Sequence, residues 1–248
     1  MERLPITGLP VGQVPLAFLV CGDPGRAATV AERLEQVKLL SDRREYRTYS
    51  GQYNGVAVAV CSHGVGAPGA AIAFEEIIAA GGQRLIRVGT CGSLQPDIHD
   101  GDLIIATAAV DRTGYGRLTV PDGYPAVADF RLVQALVREA RRREATTHPG
   151  IVLTSDGFYG GVDTPHTPHY PTLSRAGVLA VEMECAALFQ VGSLRGVQTA
   201  AILAVDGNVL EEKESMDSYD PHRQVVTDAV VAEIEIALRA ATEPTVAQ

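Results

Sequence analysis

Short apolar runs alternate along this chain with segments in which apolar residues recur at helical spacing. We predict strands where runs of mostly apolar residues end at glycine, proline or polar residues. These strands are Leu16–Cys21, Val56–Cys61, Leu85–Ile86, Leu103–Ala109, Ile151–Thr154, Val178–Met183 and Thr199–Val205. Strands without polar interruption are typical of a sheet that helices cover on both faces.

Amphipathic segments between these strands predict helices. Val30, Leu34 and Val37 mark one helix after Pro24. The other predicted helices are Ala67 to Gly81, Leu132–Arg143, Cys185–Val191 and a closing helix through Val226, Val230, Ile234 and Leu238. Because strands and helices alternate without a repeat or linker, we expect one α/β domain over residues 1–248, with a mostly parallel, twisted central sheet flanked by helices.

Glycine or polar residues follow the end of almost every predicted strand. These groups are Gly22–Arg26, Ser62–Gly66, Arg87–Ser93, Ser155–Gly161, the pair Glu182 and Glu184, and Asp206–Gly207. In α/β sheets, ligands bind beyond the carboxyl ends of the strands. We therefore expect these groups to form one binding site.

The segment Arg87–Ser93 carries the densest set of ligand-binding groups. We predict that strand Leu85–Ile86 opens here into a turn, where Gly89 and Gly92 let a ligand approach the backbone. Successive N–H groups of such a turn can bind an anion, and the guanidinium of Arg87 suits phosphate. A plain strand end with a surface arginine is the alternative, and this segment alone does not decide between the two.

Glu182 and Glu184 lie two residues apart, so in an extended segment their side chains share a face. Carboxylates beside so apolar a run are costly unless they bind something. With the arginines and the aromatic residues Phe158 and Tyr159, they fit a ligand made of phosphate, a sugar diol and a flat base. The chain contains no GxxxxGK[ST], so the P-loop motif does not apply.

The composition of the chain indicates which classes of partner it does not bind. The 248 residues carry a net charge of -9, whereas nucleic-acid-binding domains usually present a basic face. No apolar run is long enough to span a membrane. The four cysteines form no CxxC pair, and His166 and His169 lack a set of further ligands, so we expect no metal site. We expect the cysteines to be free thiols in a reducing cytoplasm. A nucleophilic Cys91 is an alternative, although no histidine lies near it in sequence.

Six segments, in order along nearly the whole chain, resemble those of the hexameric nucleoside phosphorylases, the family of purine nucleoside and uridine phosphorylases. They are Gly22–Arg26, Ser62–Gly66, Arg87–Ser93, Pro125–Phe130, Val181–Glu184 and Val205–Gly207. The resemblance implies a cytoplasmic homohexamer, built as a trimer of dimers. It also implies a nucleoside and inorganic phosphate as substrates, with no further cofactor.

The resemblance assigns roles to individual residues. It implies a phosphate site made of Gly22, Arg26, Arg44, Arg87 and Thr90, in which Arg44 comes from a neighbouring subunit. It implies ribose contacts from Met183 and Glu184, and base contacts from Cys91, Gly92, Phe158, Tyr159, Glu182 and Asp206. Asp206 would be the catalytic residue that protonates the leaving base; a strand cap is the alternative.

Two features of the sequence indicate which base the nucleoside substrate carries. Ile202–Gly207 resembles the purine enzymes of apicomplexan parasites, whereas uridine enzymes carry a glutamine and an arginine where this chain has Val162 and Thr164. The resemblance therefore implies a purine nucleoside phosphorylase. A uridine phosphorylase, a nucleosidase that uses water, and a catalytically silent nucleotide-binding protein are the alternatives. The family's N-terminal histidine, which reaches a neighbour's ribose 5′ position, is missing before Gly22.

Overall fold

A computed structural model describes residues 2–210, 220 and 223–243. Its strands are β1 Ala17–Cys21, β2 Glu35–Arg43, β3 Tyr46–Tyr53, β4 Val56–Ser62, β5 Arg84–Ser93, β6 Leu103–Arg112, β7 Ala126–Val127, β8 Thr147–Ser155, β9 Ala180–Glu182 and β10 Gln198–Asn208. Its helices are α1 Pro24–Ala31, α2 Ala67–Ala80, α3 Gly114–Thr119, α4 Phe130–Arg142, α5 Tyr170–Arg175, α6 Cys185–Arg195 and α7 Gln224–Thr242.

All of these strands belong to one sheet, and the predicted α/β class with flanking helices is confirmed. The sheet is mixed. Strands β4, β1, β5 and β10 run parallel as neighbours, and β6, β8 and β9 form a second parallel set. The two sets join through the antiparallel pairs β10–β6 and β5–β9, which close a ring of five strands. Residues at or just beyond the carboxyl ends of β1, β4, β5, β8, β9 and β10 line one opening.

Helices cover both faces of the sheet, in two apolar layers. In one layer, Phe74 of α2 and Phe189 of α6 are fully buried against the sheet. In the other, Val30 of α1, Leu136 of α4 and Leu238 of α7 do the same. Pro68 in the first turn of α2 and Gly81 at its end are the start and stop signals that the sequence predicts.

The region after α1 differs from the prediction. Helix α1 ends at Ala31, and Val37 lies in β2 rather than on a continued helix. Strands β2 and β3 form a hairpin that adds to β4, and Val37 is 44% exposed. Pairing with β3 satisfies the backbone of this segment, so its weak helical spacing does not decide the structure.

The segment between β6 and α4 contains α3 and β7. Thr113 caps α3 by accepting a hydrogen bond from the Gly116 N–H. Among the helices of the described ranges, none combines the length and apolar character that crossing a membrane requires.

Candidate active site

A cavity of about 940 Å³ lies where β1, β4, β5, β8, β9 and β10 end. All six groups predicted from the strand ends contribute to its lining. The predicted site residues that line it are Gly22, Arg26, Arg87, Thr90, Cys91, Gly92, Phe158, Tyr159, Glu182, Met183, Glu184 and Asp206. The expected convergence at one edge of the sheet is therefore present in the fold.

Arg26 enters the cavity from the first turn of α1. Asp23 caps this helix by accepting hydrogen bonds from the Gly25 and Arg26 N–H groups, and this fixes the position of the Arg26 backbone. The Nη1 of Arg26 donates to the Val88 carbonyl over 3.3 Å and lies 3.6 Å from a carboxylate oxygen of Glu233. A helix N-terminus and a cation thus meet at the cavity wall, which favours an anion.

Arg87 is the buried cation at the centre of the site. It is 4% exposed, and its guanidinium contacts Glu184 at 2.5 Å and Glu182 at 3.3 Å. Burial alone would lower the pKa of Arg87, but the two carboxylates outweigh that effect and hold its pKa above the ordinary value. The side chain therefore stays a fixed positive charge beside the cavity.

The two predicted glutamates differ in their surroundings. Both oxygens of Glu182 accept hydrogen bonds from the N-terminal backbone of α6, and one also accepts from the Thr154 hydroxyl. Glu184 accepts from the Gly66 N–H at 2.6 Å, and burial raises its pKa above 4.5 despite the opposing effect of Arg87. Glu182 therefore anchors a helix, while Glu184 is the carboxylate with fewer partners for a ligand to replace.

The segment Arg87–Ser93 is extended, so the predicted turn is wrong. It belongs to β5, which pairs with both β1 and β10, and Gly89 and Gly92 are not among the glycines with positive φ. A Cβ at Gly89 would lie 2.8 Å from the Arg87 guanidinium, and one at Gly92 would lie 2.5 Å from Val209. These glycines make room for neighbouring side chains rather than for a turn.

Asp206 sits at an irregularity in β10. Val205 pairs with Cys91 and Gly207 with Gly92, so Asp206 is an extra residue in the ladder. Such β-bulges redirect a side chain and are common beside active sites. Asp206 is 6% exposed and lines the cavity, and its carbonyl accepts a 2.7 Å hydrogen bond from Arg223. Asp206 therefore lies inside a strand, where a β-bulge places it at the cavity.

Aromatic residues form the outer wall of the cavity. Phe158 and Tyr159 are 60% and 69% exposed, and their rings meet edge to face at 5.1 Å. Tyr170 also lines the cavity, and burial raises the pKa of its hydroxyl. Exposed aromatic faces at the mouth of a pocket suit a flat ligand such as a base.

Cys91 and His63 are buried beside the cavity, and burial shifts the pKa of each. The Cys91 thiol is buried, and burial together with the Asp206 and Glu182 carboxylates raises its pKa well above 9.0, so it is no nucleophile. The Nδ1 of His63, in the segment Ser62–Gly66, donates a hydrogen bond to the Gly64 carbonyl at 2.9 Å. Burial and Arg87 lower the pKa of His63 well below 6.5, so it is neutral.

Arg44 does not reach the cavity of its own subunit. It occupies the turn between β2 and β3 with φ of 54°, and its side chain is exposed. Its role across a subunit boundary stays a prediction.

Glu233 is the charged group beside the site that the sequence analysis missed. It lies on α7 with its side chain fully buried. A signal was present, because Glu233 stands four residues after Ala229 and four before Ala237, on the apolar face of the closing helix.

Known proteins resemble this chain in sequence and fold. A family model described as the phosphorylase superfamily matches residues 17–242. The chain belongs to this superfamily. It is similar to the guanosine phosphorylase of Halorubrum lacusprofundi, with 33% identity over 98% of this chain and 99% of that protein. It is also similar to the uridine phosphorylase of Thermococcus kodakarensis, with 37% identity over 79% of this chain and 74% of that protein.

Among solved structures, the purine nucleoside phosphorylase of Toxoplasma gondii superposes with a TM-score of 0.90 at 33% identity, covering 98% of this chain and 96% of that one. The chain is therefore a nucleoside phosphorylase, a pentosyltransferase that uses a nucleoside and phosphate. The names of these relatives divide between purine and uridine substrates, so the family alone leaves the base open.

Proposed function

We propose that this phosphorylase acts on purine nucleosides, releasing the free base and ribose 1-phosphate or its deoxy analogue. The observation that carries this proposal is Asp206, an acid displayed by the β10 bulge into the cavity. A purine offers N7 as a site for protonation, and a uracil base has no equivalent atom. An aspartate at this place is useful to a purine enzyme above all.

The proposed reaction assigns a task to each part of the cavity. Phosphate, bound by Arg26 and Arg87, attacks the anomeric carbon as the bond to the purine breaks, and the developing positive charge of the sugar is stabilised by the phosphate beside it. Glu184 accepts hydrogen bonds from the ribose diol. Asp206 gives a proton to N7 so that the base leaves neutral, and solvent returns a proton to Asp206 before the next turnover. No other cofactor takes part.

The loop after Tyr159 supports the choice of a purine. Val162, at the position of the uridine enzymes' glutamine, is 84% exposed, and the hydroxyl of Thr164, at the position of their arginine, interacts with Thr167. Neither residue lines the cavity. In the part of the chain that the structure describes, the arginines of the cavity wall are Arg26 and Arg87, which the proposal commits to phosphate.

The test of this function is turnover with and without phosphate across inosine, guanosine, adenosine, a methylthio-nucleoside and uridine. We expect cleavage to require phosphate, because two arginines that a hydrolase does not need face the cavity. We expect the purine nucleosides to have the higher kcat/KM. Equal rates in phosphate-free buffer would identify a nucleosidase, and a preference for uridine would refute the purine assignment.

We also propose that the enzyme is a homohexamer in which Arg44 completes the phosphate site of a neighbour. The exposed place of Arg44 on the β2–β3 turn supports this, because it cannot serve its own cavity. Mixing inactive Arg44→Ala and Asp206→Asn subunits should restore activity, since each mixed pair holds one intact site. Recovery should reach about a quarter of the wild-type rate at equal mixing. Subunit exchange without any recovery would show that the sites are not shared.

A further inference from the structure

Glu233 is a fully buried carboxylate directly behind the proposed phosphate site. Within the described residues, neither of its oxygens has a hydrogen-bond partner of ordinary geometry, and its one ion pair is with Arg26 at 3.6 Å. Burying an ionised carboxylate with so little compensation is costly. A group retained there in spite of that cost is a candidate for a role in the site.

Arg26 connects Glu233 to the cavity. Its side chain is 17% exposed and lines the cavity, while the carboxylate beside it is sealed from solvent. One cation therefore faces two anion positions, the buried carboxylate on one side and the phosphate site on the other. When Glu233 is ionised, its carboxylate balances the charge of Arg26 while the cavity is empty, and a phosphate dianion competes for the same charge.

We propose that Glu233 in its ionised form is the counterion of Arg26, and that binding of a phosphate dianion displaces this interaction and leaves Glu233 protonated. The proton comes from the solvent and forms the O–H bond of the Glu233 carboxyl group, and no other bond changes. This inference rests on the proposed phosphate site. In alkaline solution, where Glu233 is ionised in the empty enzyme, it makes phosphate binding dependent on the uptake of a proton.

The direction of the linkage follows from the surroundings of Glu233. Burial raises its pKa to about 8, and this outweighs the lowering effects of Arg26, Arg87 and the nearby backbone amides of Gly89 and Ala204. A dianion placed beside Arg26 raises that pKa further. Below pH 8 Glu233 is protonated in both states and binding is independent of pH; above pH 8 it must gain a proton, so phosphate affinity falls as pH rises.

Other titratable groups around α7 do not produce this effect. Cys21 on β1 has a pKa raised by burial to about 12, and burial also raises that of Cys91 on β5 well above 9.0, so both remain thiols. His63 on β4 is neutral throughout, because burial lowers its pKa well below 6.5. Asp206, on β10, and Glu184 contribute carboxylates to the same cavity, so the test must isolate Glu233 by substitution.

The experiment measures phosphate binding by calorimetry in two buffers of different ionisation enthalpy, above pH 8, where inorganic phosphate is already a dianion. We expect the wild-type enzyme to take up close to one proton at pH 9, and the Glu233→Gln variant to take up none. We expect the KM for the phosphate dianion to rise about tenfold from pH 7 to pH 9 in the wild type and to stay flat in the variant.

Glu139→Gln is the matched control. Glu139 is also a buried carboxylate, 2% exposed on α4, but it pairs with Arg142 away from the cavity. We expect this variant to keep the wild-type proton uptake. The wild-type measurement can be interpreted even if Glu233→Gln does not fold. The absence of proton uptake in the wild-type enzyme would overturn the proposal.

The Arg26→Ala variant separates this inference from the proposed function. A raised phosphate KM in that variant supports the phosphate site itself. If Arg26→Ala raises the KM but wild type and Glu233→Gln take up the same number of protons, only the role of Glu233 is refuted. If Arg26→Ala leaves the phosphate KM unchanged, the phosphate site is wrong, and the inference falls with it.

Discussion

The Asp206→Asn variant is expected to cleave inosine about 10²–10⁴-fold more slowly in kcat than the wild-type enzyme, which is the usual size of general acid catalysis. Asparagine keeps the shape of the side chain in the β10 bulge but cannot deliver the proton that purine N7 needs. Because the substitution changes only one group of the cavity wall, the KM values should move much less. Steady-state kinetics with saturating phosphate measure both quantities.

An N7-methylated nucleoside is the control for this prediction. Its base already carries a positive charge and leaves without protonation, so Asp206→Asn should keep most of the wild-type rate on it. The ratio of the two substrates therefore isolates the proton transfer from any general damage to the site. Equal slowing of inosine and the methylated substrate would mean that Asp206 only shapes the cavity or caps its strand.

Much of the site was predictable from the sequence because it depends on local order. Apolar strands that end in glycine or polar residues are visible along the chain, and a parallel arrangement carries their ends to one edge of the sheet. Arg26, Glu184 and Asp206 were placed in the cavity on this basis together with the family resemblance, and the structure brings them together there.

What the sequence could not show depends on pairing between distant segments. Because glycine usually marks a turn, the sequence predicts a turn at the glycines of β5. Their actual role depends on the Arg87 and Val209 side chains and on strand neighbours more than a hundred residues away. The bulge at Asp206 is likewise a matter of register between β5 and β10. The contact of Glu233 with Arg26 joins residues 207 positions apart, and nothing local predicts it.

The Arg87→Met variant is expected to lower the free energy of unfolding by about 3–5 kcal/mol, the usual cost of removing one partner from a buried ion pair. Methionine fills much of the volume but leaves Glu182 and Glu184 without their cation. Glu182 keeps its hydrogen bonds from Thr154 and the start of α6, whereas Glu184 keeps the Gly66 N–H. The cost should therefore arise mainly at Glu184. Denaturant unfolding of both proteins at equal concentration measures it.

The loss should depend on pH in a known direction. The pKa of Glu184 is already above 4.5, and removal of Arg87 raises it further, so the folded variant holds a proton that the unfolded chain has lost. The stability of the variant relative to wild type should then fall as pH rises from the raised pKa of Glu184 in the folded wild type to its higher pKa in the folded variant, and level off above it.

A second substitution tests whether Glu184 is the cause. Glu184→Gln in the Arg87→Met background removes the unpaired charge while keeping an oxygen that can accept from the Gly66 N–H. This double variant should regain most of the lost stability and lose the pH dependence. A deficit that is constant between pH 5 and pH 8, or a double variant no more stable than Arg87→Met, would show that Arg87 contributes packing rather than charge, since lost packing does not change with protonation.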